Sequence, residues 1–529
     1  MDDSSRRTVP LSGSMLLTNV RTTLFRPVAA IPLDIFRILC GLLVFVYFLR
    51  TMLEVRDISS PDGLIDHQLS LSVFWFTQIG LFRPGISAEA FQVIFAFACV
   101  CSLLIAAGYR PKLFAFLLFV IAVSTYRWNF MVMYVDDAIM HLIIFWLLVL
   151  PVGRTLVLSD WIRGGRKKMA EWASVTVQGL GLRCFFWNLA LIYLVAGLWK
   201  WTSPMWLDGT AMYVIYKLPI SYGADFWNAS HIPYLKVLDY CALVFEPLFP
   251  LILLLRRGHI LKYVLLCGLF GLHAGTVVTL NIPFANIACL AAAVLIFGEE
   301  IMALIGPQTA ERVPPPTRPR FGISEGAAVF VAATLTLAML SSVSLPNWRK
   351  PTRVSAEWHT IAATAETARS SEFDDDRYEG LGPVQMTFFG ALWLVGIAQQ
   401  YQLLNWIDER NFRLHYRVLE RNADGSSTET PASELIPQSF RGILLQSYLH
   451  GVTWMRVPPD RRAEVRAVLQ TRIAERYCRH ARPLGTIDAF YSLERIDPSG
   501  RPPELSEHLL MSFSCANGEA TFEYREAQP

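Results

Sequence analysis

Runs of roughly 20 apolar residues, long enough to cross a bilayer as helices, recur along the first two thirds of the chain and then stop. They fall near 31–53, 88–108, 112–131, 136–153, 181–200, 234–256, 260–280, 283–305 and 324–345. Short connections marked by proline, glycine or charge separate them, as at Tyr109-Arg110-Pro111-Lys112. Most of these runs are apolar all round, with no single apolar stripe. The pattern therefore predicts membrane-spanning helices, about nine of them, and not amphipathic surface helices.

The connections carry an uneven charge. With the N-terminus in the cytoplasm, the inner side holds Arg6, Arg7, Arg21, Arg26, Arg110, Lys112, Arg154, Arg163, Arg166, Lys167, Lys168, Arg256, Arg257, Lys262, Arg312, Arg318 and Arg320. The outer side holds only Arg56, Arg83, Arg127 and Lys217. Positive charge is retained on the cytoplasmic face, so the count predicts a cytoplasmic segment 1–30 and, after nine spans, an extracytoplasmic region 346–529 at an inner or plasma membrane. The stretch 383–406 is a further apolar segment, but its apolar core Val384–Ala398 is short for a span and is followed by Gln399, Gln400 and Gln402. It is expected to lie at the interface or re-enter; a full crossing there would return the C-terminus to the cytoplasm.

Beyond residue 346 the pattern changes to that of an α+β unit. Phe412–Arg421 alternates and ends at Asp424-Gly425, as a strand entering a hairpin does. Residues 438–482 have helical spacing with a break at Pro458-Pro459. Residues 487–496 and 509–524 read as strands, the second turning at Asn517-Gly518. The expected organisation is thus a cytoplasmic segment, a transmembrane core 31–305, a Pro-rich linker with the last span over 306–345, and the α+β region. The whole is mainly α, a polytopic transmembrane helix bundle with an extramembrane α+β end.

Composition agrees. Of 529 residues, 53% are apolar and 17% charged, against about 25% charged in soluble domains. The net charge of +3 resides in loops between apolar runs, which gives no reason to expect nucleic acid. Seven of the nine cysteines (Cys40, Cys99, Cys101, Cys184, Cys241, Cys267 and Cys289) fall in apolar runs and read as small packing residues. No metal-ligand spacing is present. Cys478 and Cys515 lie in the polar part, where pairing is left open.

Ionisable residues at membrane depth are costly and invite a functional reading. Arg37 lies early in the first span. Asp136 and Asp137 open the fourth, with His141 one turn on from Asp137. Lys200 ends the fifth, between Trp199 and Trp201. Glu246 precedes Pro247 in the sixth, and His273 lies midway along the seventh. Each has a structural alternative: headgroup snorkelling or helix tying for Arg37, a helix start for the aspartates, packing for the histidines, interfacial anchoring for Lys200, helix pairing for Glu246. Several nonetheless share one depth, beside an aromatic-rich outer loop that includes Trp206. A lysine among aromatic rings is stripped of water, which favours the neutral amine and hence a base near neutral pH. A neighbouring imidazole orients a substrate or passes a proton. Such a site suits an apolar redox ligand such as a quinol.

The run Leu194-Val195-Ala196-Gly197-Leu198-Trp199-Lys200, followed by Trp206-Leu207-Asp208-Gly209, resembles the signature of the vitamin K-dependent γ-glutamyl carboxylase family and its HTTM-domain relatives. Ile31-Pro32-Leu33 with Phe36, Arg37 and Gly41 resembles that family's opening helix. Tyr134-Val135-Asp136-Asp137 with His141, and His273 with Asn281 and Phe284, resemble its later segments. The likeness spans roughly residues 20–300. It implies a membrane enzyme using a reduced quinone with O2 and CO2. Lys200 would be the base, His141 and His273 further catalytic groups, and Trp199, Trp201, Trp206 and Asp137 the cofactor's surroundings. This sequence departs from the family in having Trp199 where a second lysine precedes the base, and in its shorter C-terminal region. That last departure keeps a second reading open, a non-catalytic scaffold or partner-binding subunit whose region 346–529 holds a protein or peptide. A transporter fits less well, because the ionisable residues gather at one depth instead of lining a path.

Overall fold

The computed structural model describes residues 24–60, 63–73, 80–255, 257–305, 321–342 and 383–394, and in the C-terminal part 397, 411–422, 424–436, 442–450, 461–481, 483, 485–501 and 505–526. The basic N-terminal residues, the Pro-rich linker, 346–382, the glutamines at 399–402 and Pro458-Pro459 lie outside the described residues.

The protein is mainly helical, with a five-stranded sheet in the C-terminal region and a short two-stranded pairing of Val28–Ala29 with Thr176–Val177. We number the principal helices α1 (Ala30–Leu53), α2 (Ala88–Ala107), α3 (Pro111–Trp128), α4 (Val135–Val149), α5 (Leu180–Lys200), α6 (Ile232–Leu248), α7 (Ile260–Thr279), α8 (Pro283–Ile296) and α9 (Ile323–Ser342). All nine apolar runs are helical, but among the described residues only α1, α2, α3, α5 and α7 are long and apolar enough to cross a membrane unaided. A sixth is reached if α8 and the helix Gly298–Ile305, bent by 57° from it, count as one span. Two of the others are cut short for visible reasons. α4 opens on the polar pair Asp136 and Asp137, and Pro151 follows its end, leaving 15 residues. Pro247 and Pro250 turn α6 into a 3₁₀ segment, Phe249–Leu253, since proline removes the N–H a helix needs.

Successive helices alternate in direction, and turn chemistry sets where they reverse. At the α2–α3 corner Gly108 takes the left-handed conformation (φ 80°) and Pro111 opens α3, the usual positions for these residues. Outward faces stay apolar: Val46, Val93, Phe97, Phe116, Val237, Val264 and Val278 are all exposed. Of the seven cysteines read as packing residues, Cys40, Cys99, Cys101 and Cys184 are buried, whereas Cys241 and Cys267 are exposed.

At the end where α1 begins, Asp34 and Arg37 form a buried knot. Asp34 accepts from Arg37 Nε (2.8 Å), from the backbone N–H groups of Gly153, Arg154 and Thr155, and from the Thr155 hydroxyl. Arg37 donates to the carbonyls of Ile105, Ala106 and Leu156. Those carbonyls sit at or beyond helix ends, which lack helical partners. Arg37 therefore ties three chain segments together and does not snorkel.

At the opposite end sits the α+β unit. Its helices are α11 (Gly442–Leu449) and α12 (Arg462–Ala481), whereas α10 (Pro383–Leu394) packs against α9 and puts Leu392 into the apolar core of the bundle. Its strands β1 (Phe412–Arg421), β2 (Ser427–Thr430), β3 (Thr486–Arg495), β4 (Glu507–Ala516) and β5 (Glu519–Arg525) form one antiparallel sheet in the order β2-β1-β3-β4-β5. The β4–β5 turn uses Asn517 (φ 56°) and Gly518 (φ 83°), the residues a tight hairpin with positive φ selects. α12 lies across β4 and β5, and Cys478 of α12 is disulfide-bonded to Cys515 of β4. The unit docks on the bundle through Arg472–Asp66 (3.0 Å), Arg476–Asp57 (3.0 Å) and Tyr448 hydroxyl to Met131 carbonyl (3.0 Å). Leu64, Ile65, Met131 and Met133 join its apolar core.

Candidate functional site

Helix α5 brings two polar side chains to one face. Tyr193 and Lys200 are seven residues apart, close to two turns, so they stand one above the other roughly 10 Å apart along the axis. Lys200 Nζ is 2.7 Å from Glu246 Oε2 of α6, and both side chains are more than nine-tenths buried. The ammonium also lies 5.1 Å from the centre of the Trp206 ring, within cation–π range.

Two local features build this contact. Gly197 faces Pro247, and a Cβ at position 197 would stand 2.6 Å from the proline Cδ. Only glycine lets α5 approach closely enough for Lys200, three residues on, to meet Glu246, the neighbour of Pro247. Pro247 cannot donate to the carbonyl of Leu243, four residues back. Trp201 Nε1 donates to that carbonyl instead, at 3.0 Å.

Beside the pair runs a second chain of polar groups. His273 of α7 has Nδ1 2.7 Å from Asn286 Oδ1, and its Nε2 contacts the Tyr193 hydroxyl. Asn286 donates its amide N–H to the Ile282 carbonyl at 2.7 Å, which leaves its oxygen to accept from Nδ1–H. The assigned tautomer thus has Nε2 as the acceptor, and the direction is Tyr193 to His273 to Asn286 to backbone.

The structure redistributes the residues picked out by sequence. Lys200 is not a lone amine facing His141. Its polar partners are Glu246 and Trp206, because α6 inserts a carboxylate where sequence alone placed only aromatic rings. His141 packs its ring on Tyr126 of α3 (4.9 Å). Asp137 accepts from the Tyr47 hydroxyl (2.5 Å) and the Tyr134 N–H (2.8 Å), starting α4 and joining it to α1. Asp136 accepts from the N–H groups of Phe284 and Ala285 and so caps α8. Asp137 and Trp201 thus each tie neighbouring helices together. Trp206 lies at the pair as expected, and the buried Trp199 has an indole N–H without a partner.

No protein-family model, curated protein or solved structure matches the chain. The chemistry of the site is thus argued from its own groups. Among the described residues no cluster of His, Cys, Asp and Glu is arranged to hold a metal ion. Sequence reasoning missed Tyr193 and Asn286. Tyr193 had a signal, its seven-residue spacing from Lys200. Asn286 had none beyond being an amide in an apolar run.

Proposed function

We propose that the chain is a multi-pass membrane enzyme that takes a proton from a reduced, lipid-soluble quinone beside Lys200 and Glu246. The outcome would be carboxylation or oxygenation, in the manner of the vitamin K-dependent γ-glutamyl carboxylase family. One observation carries the reading: an ammonium and a carboxylate meet at 2.7 Å inside an apolar bundle. Burying two charges costs several kcal/mol per ion before their attraction repays it, and hydrophobic residues of equal volume would pack as well.

The surroundings suit a hydroquinone, which has an aromatic ring and two hydroxyls. Trp206 offers a ring, Glu246 an acceptor for a hydroxyl proton, and Trp199 an unanswered N–H for an oxygen. Such a cofactor, with O2 and CO2 as co-substrates, supplies a base stronger than any side chain, which removal of a proton from a glutamate γ-carbon demands. The protein's own part is proton handling. Moving a proton from Lys200 Nζ to Glu246 Oε2 turns the ion pair into a neutral amine and a neutral acid, and the pair as a whole has room for one proton. Tyr193 and His273 form a second proton-carrying contact on the same face of α5.

We place the Lys200 end of the bundle, with the α+β unit, on the extracytoplasmic side. The asymmetry of positive charge and the Cys478–Cys515 disulfide, a bond of oxidising compartments, both support this.

The scaffold reading has one observation in its favour: the charges of Lys200 and Glu246 answer each other without a ligand. Mass spectrometry of quinones retained by the protein in mild detergent, combined with an epoxide assay on added quinol, separates the two readings. Bound quinone and epoxide support the enzyme. Neither, with companion subunits that are lost when residues 346–529 are removed, supports the scaffold.

A further inference from the structure

His450, just after α11, is buried, and among the described residues neither ring nitrogen has a hydrogen-bond partner. Polar groups of β1, β3 and α12 face it. Tyr491 of β3 lies 4.3 Å away between ring centres. Tyr416 of β1 lies at 5.5 Å, with a buried hydroxyl that is also unpartnered. Arg466 of α12 is ion-paired with Glu526 at 2.8 Å, and the Tyr491 hydroxyl donates to the other oxygen of the same carboxylate at 3.0 Å. His508 of β4 lies 5.6 Å from Tyr491 between ring centres. The nearby carboxylate is thus committed to Arg466 and Tyr491, and an imidazolium here would face a guanidinium. Burial, with the Arg466 charge adding to it, holds the His450 imidazole well below its ordinary range.

The same helix touches the bundle. Tyr448, two residues before His450, donates to the Met131 carbonyl, and Leu445, Tyr448 and Leu449 share an apolar core with Met131, Val132 and Met133.

We propose that α11 is an acid-sensitive latch: protonation of His450 expels it from its place between β1, β3 and α12, and frees Tyr448 from Met131, so the C-terminal unit loosens from the bundle in acidic surroundings. The sign follows from linkage. A histidine that titrates lower when docked binds its proton more readily when released. Release is therefore favoured as pH falls below about 6.5, by roughly tenfold per unit. Between pH 7.5 and 5.0 the released population rises on the order of 30-fold.

Hydroxyl-radical footprinting of the full chain in detergent reads this at Tyr448, referenced to the exposed Tyr524 of β5. The wild type should show Tyr448 modification rising steeply from pH 7.5 to 5.0, whereas His450→Gln, neutral throughout, should stay flat. His450→Asn replaces it if the Gln variant does not fold. No rise in the wild type, or an equal rise in the variant, overturns the latch.

Discussion

The indole nitrogen of Trp201 donates to the carbonyl of Leu243, the one acceptor in α6 that Pro247 leaves without its helical partner. A proline kink one residue after Glu246 is thereby closed by the residue that follows Lys200. The two sides of the ion pair are locked together by backbone and indole as well as by charge.

Trp201→Phe removes the donor and keeps the ring. It should cost about 1–3 kcal/mol, the penalty for leaving a polar group unanswered. Thermal unfolding in detergent checks this; an unchanged midpoint would mean that water or another donor replaces the indole.

Gly197→Ala places a methyl against Pro247. Overpacking of this kind costs about 1–3 kcal/mol, and it should push α5 from α6 and weaken the Lys200–Glu246 contact. A melting midpoint equal to the wild type would show that the helices have slack there.

Lys200→Met and Glu246→Met each strand a buried charge and should destabilise by about 3–5 kcal/mol, whereas the double variant should recover most of the loss. Additive losses in the double variant would contradict the view that these charges chiefly answer each other.

The sequence displayed more of the fold than of the site. Apolar runs located the nine principal helices α1 to α9, and the turn pairs Asp424-Gly425 and Asn517-Gly518 located two tight turns of the sheet, because both signals are local. The number of full crossings was less visible, since it depends on where Asp136, Asp137, Pro247 and Pro250 interrupt α4 and α6. The site was legible as a list of costly residues but not as pairs. The sequence puts Lys200 and His141 at one depth, yet α6 turns Glu246 toward the lysine and α3 turns Tyr126 toward the histidine. Which neighbour answers a buried charge depends on helix rotation and contact across the bundle, neither of which a single sequence encodes locally.

Asp34→Asn keeps the size of the side chain and removes the charge opposite Arg37. With both groups fully buried, a loss of about 3–5 kcal/mol is expected, read as a lower unfolding midpoint. Quinol turnover per folded molecule should be unchanged, since the knot lies beside the start of α5, at the other end of that helix from Lys200. A selective loss of turnover with normal stability would give Arg37 a role beyond tying the bundle.

The account rests on the buried pair handling a quinol proton. The most direct measurement is oxygen-dependent conversion of added quinol to epoxide by purified wild type and by the Lys200→Met/Glu246→Met double variant, compared at equal folded amounts. The account predicts turnover by the wild type and background conversion by the double variant. Equal turnover by both, or none by the wild type, would contradict it.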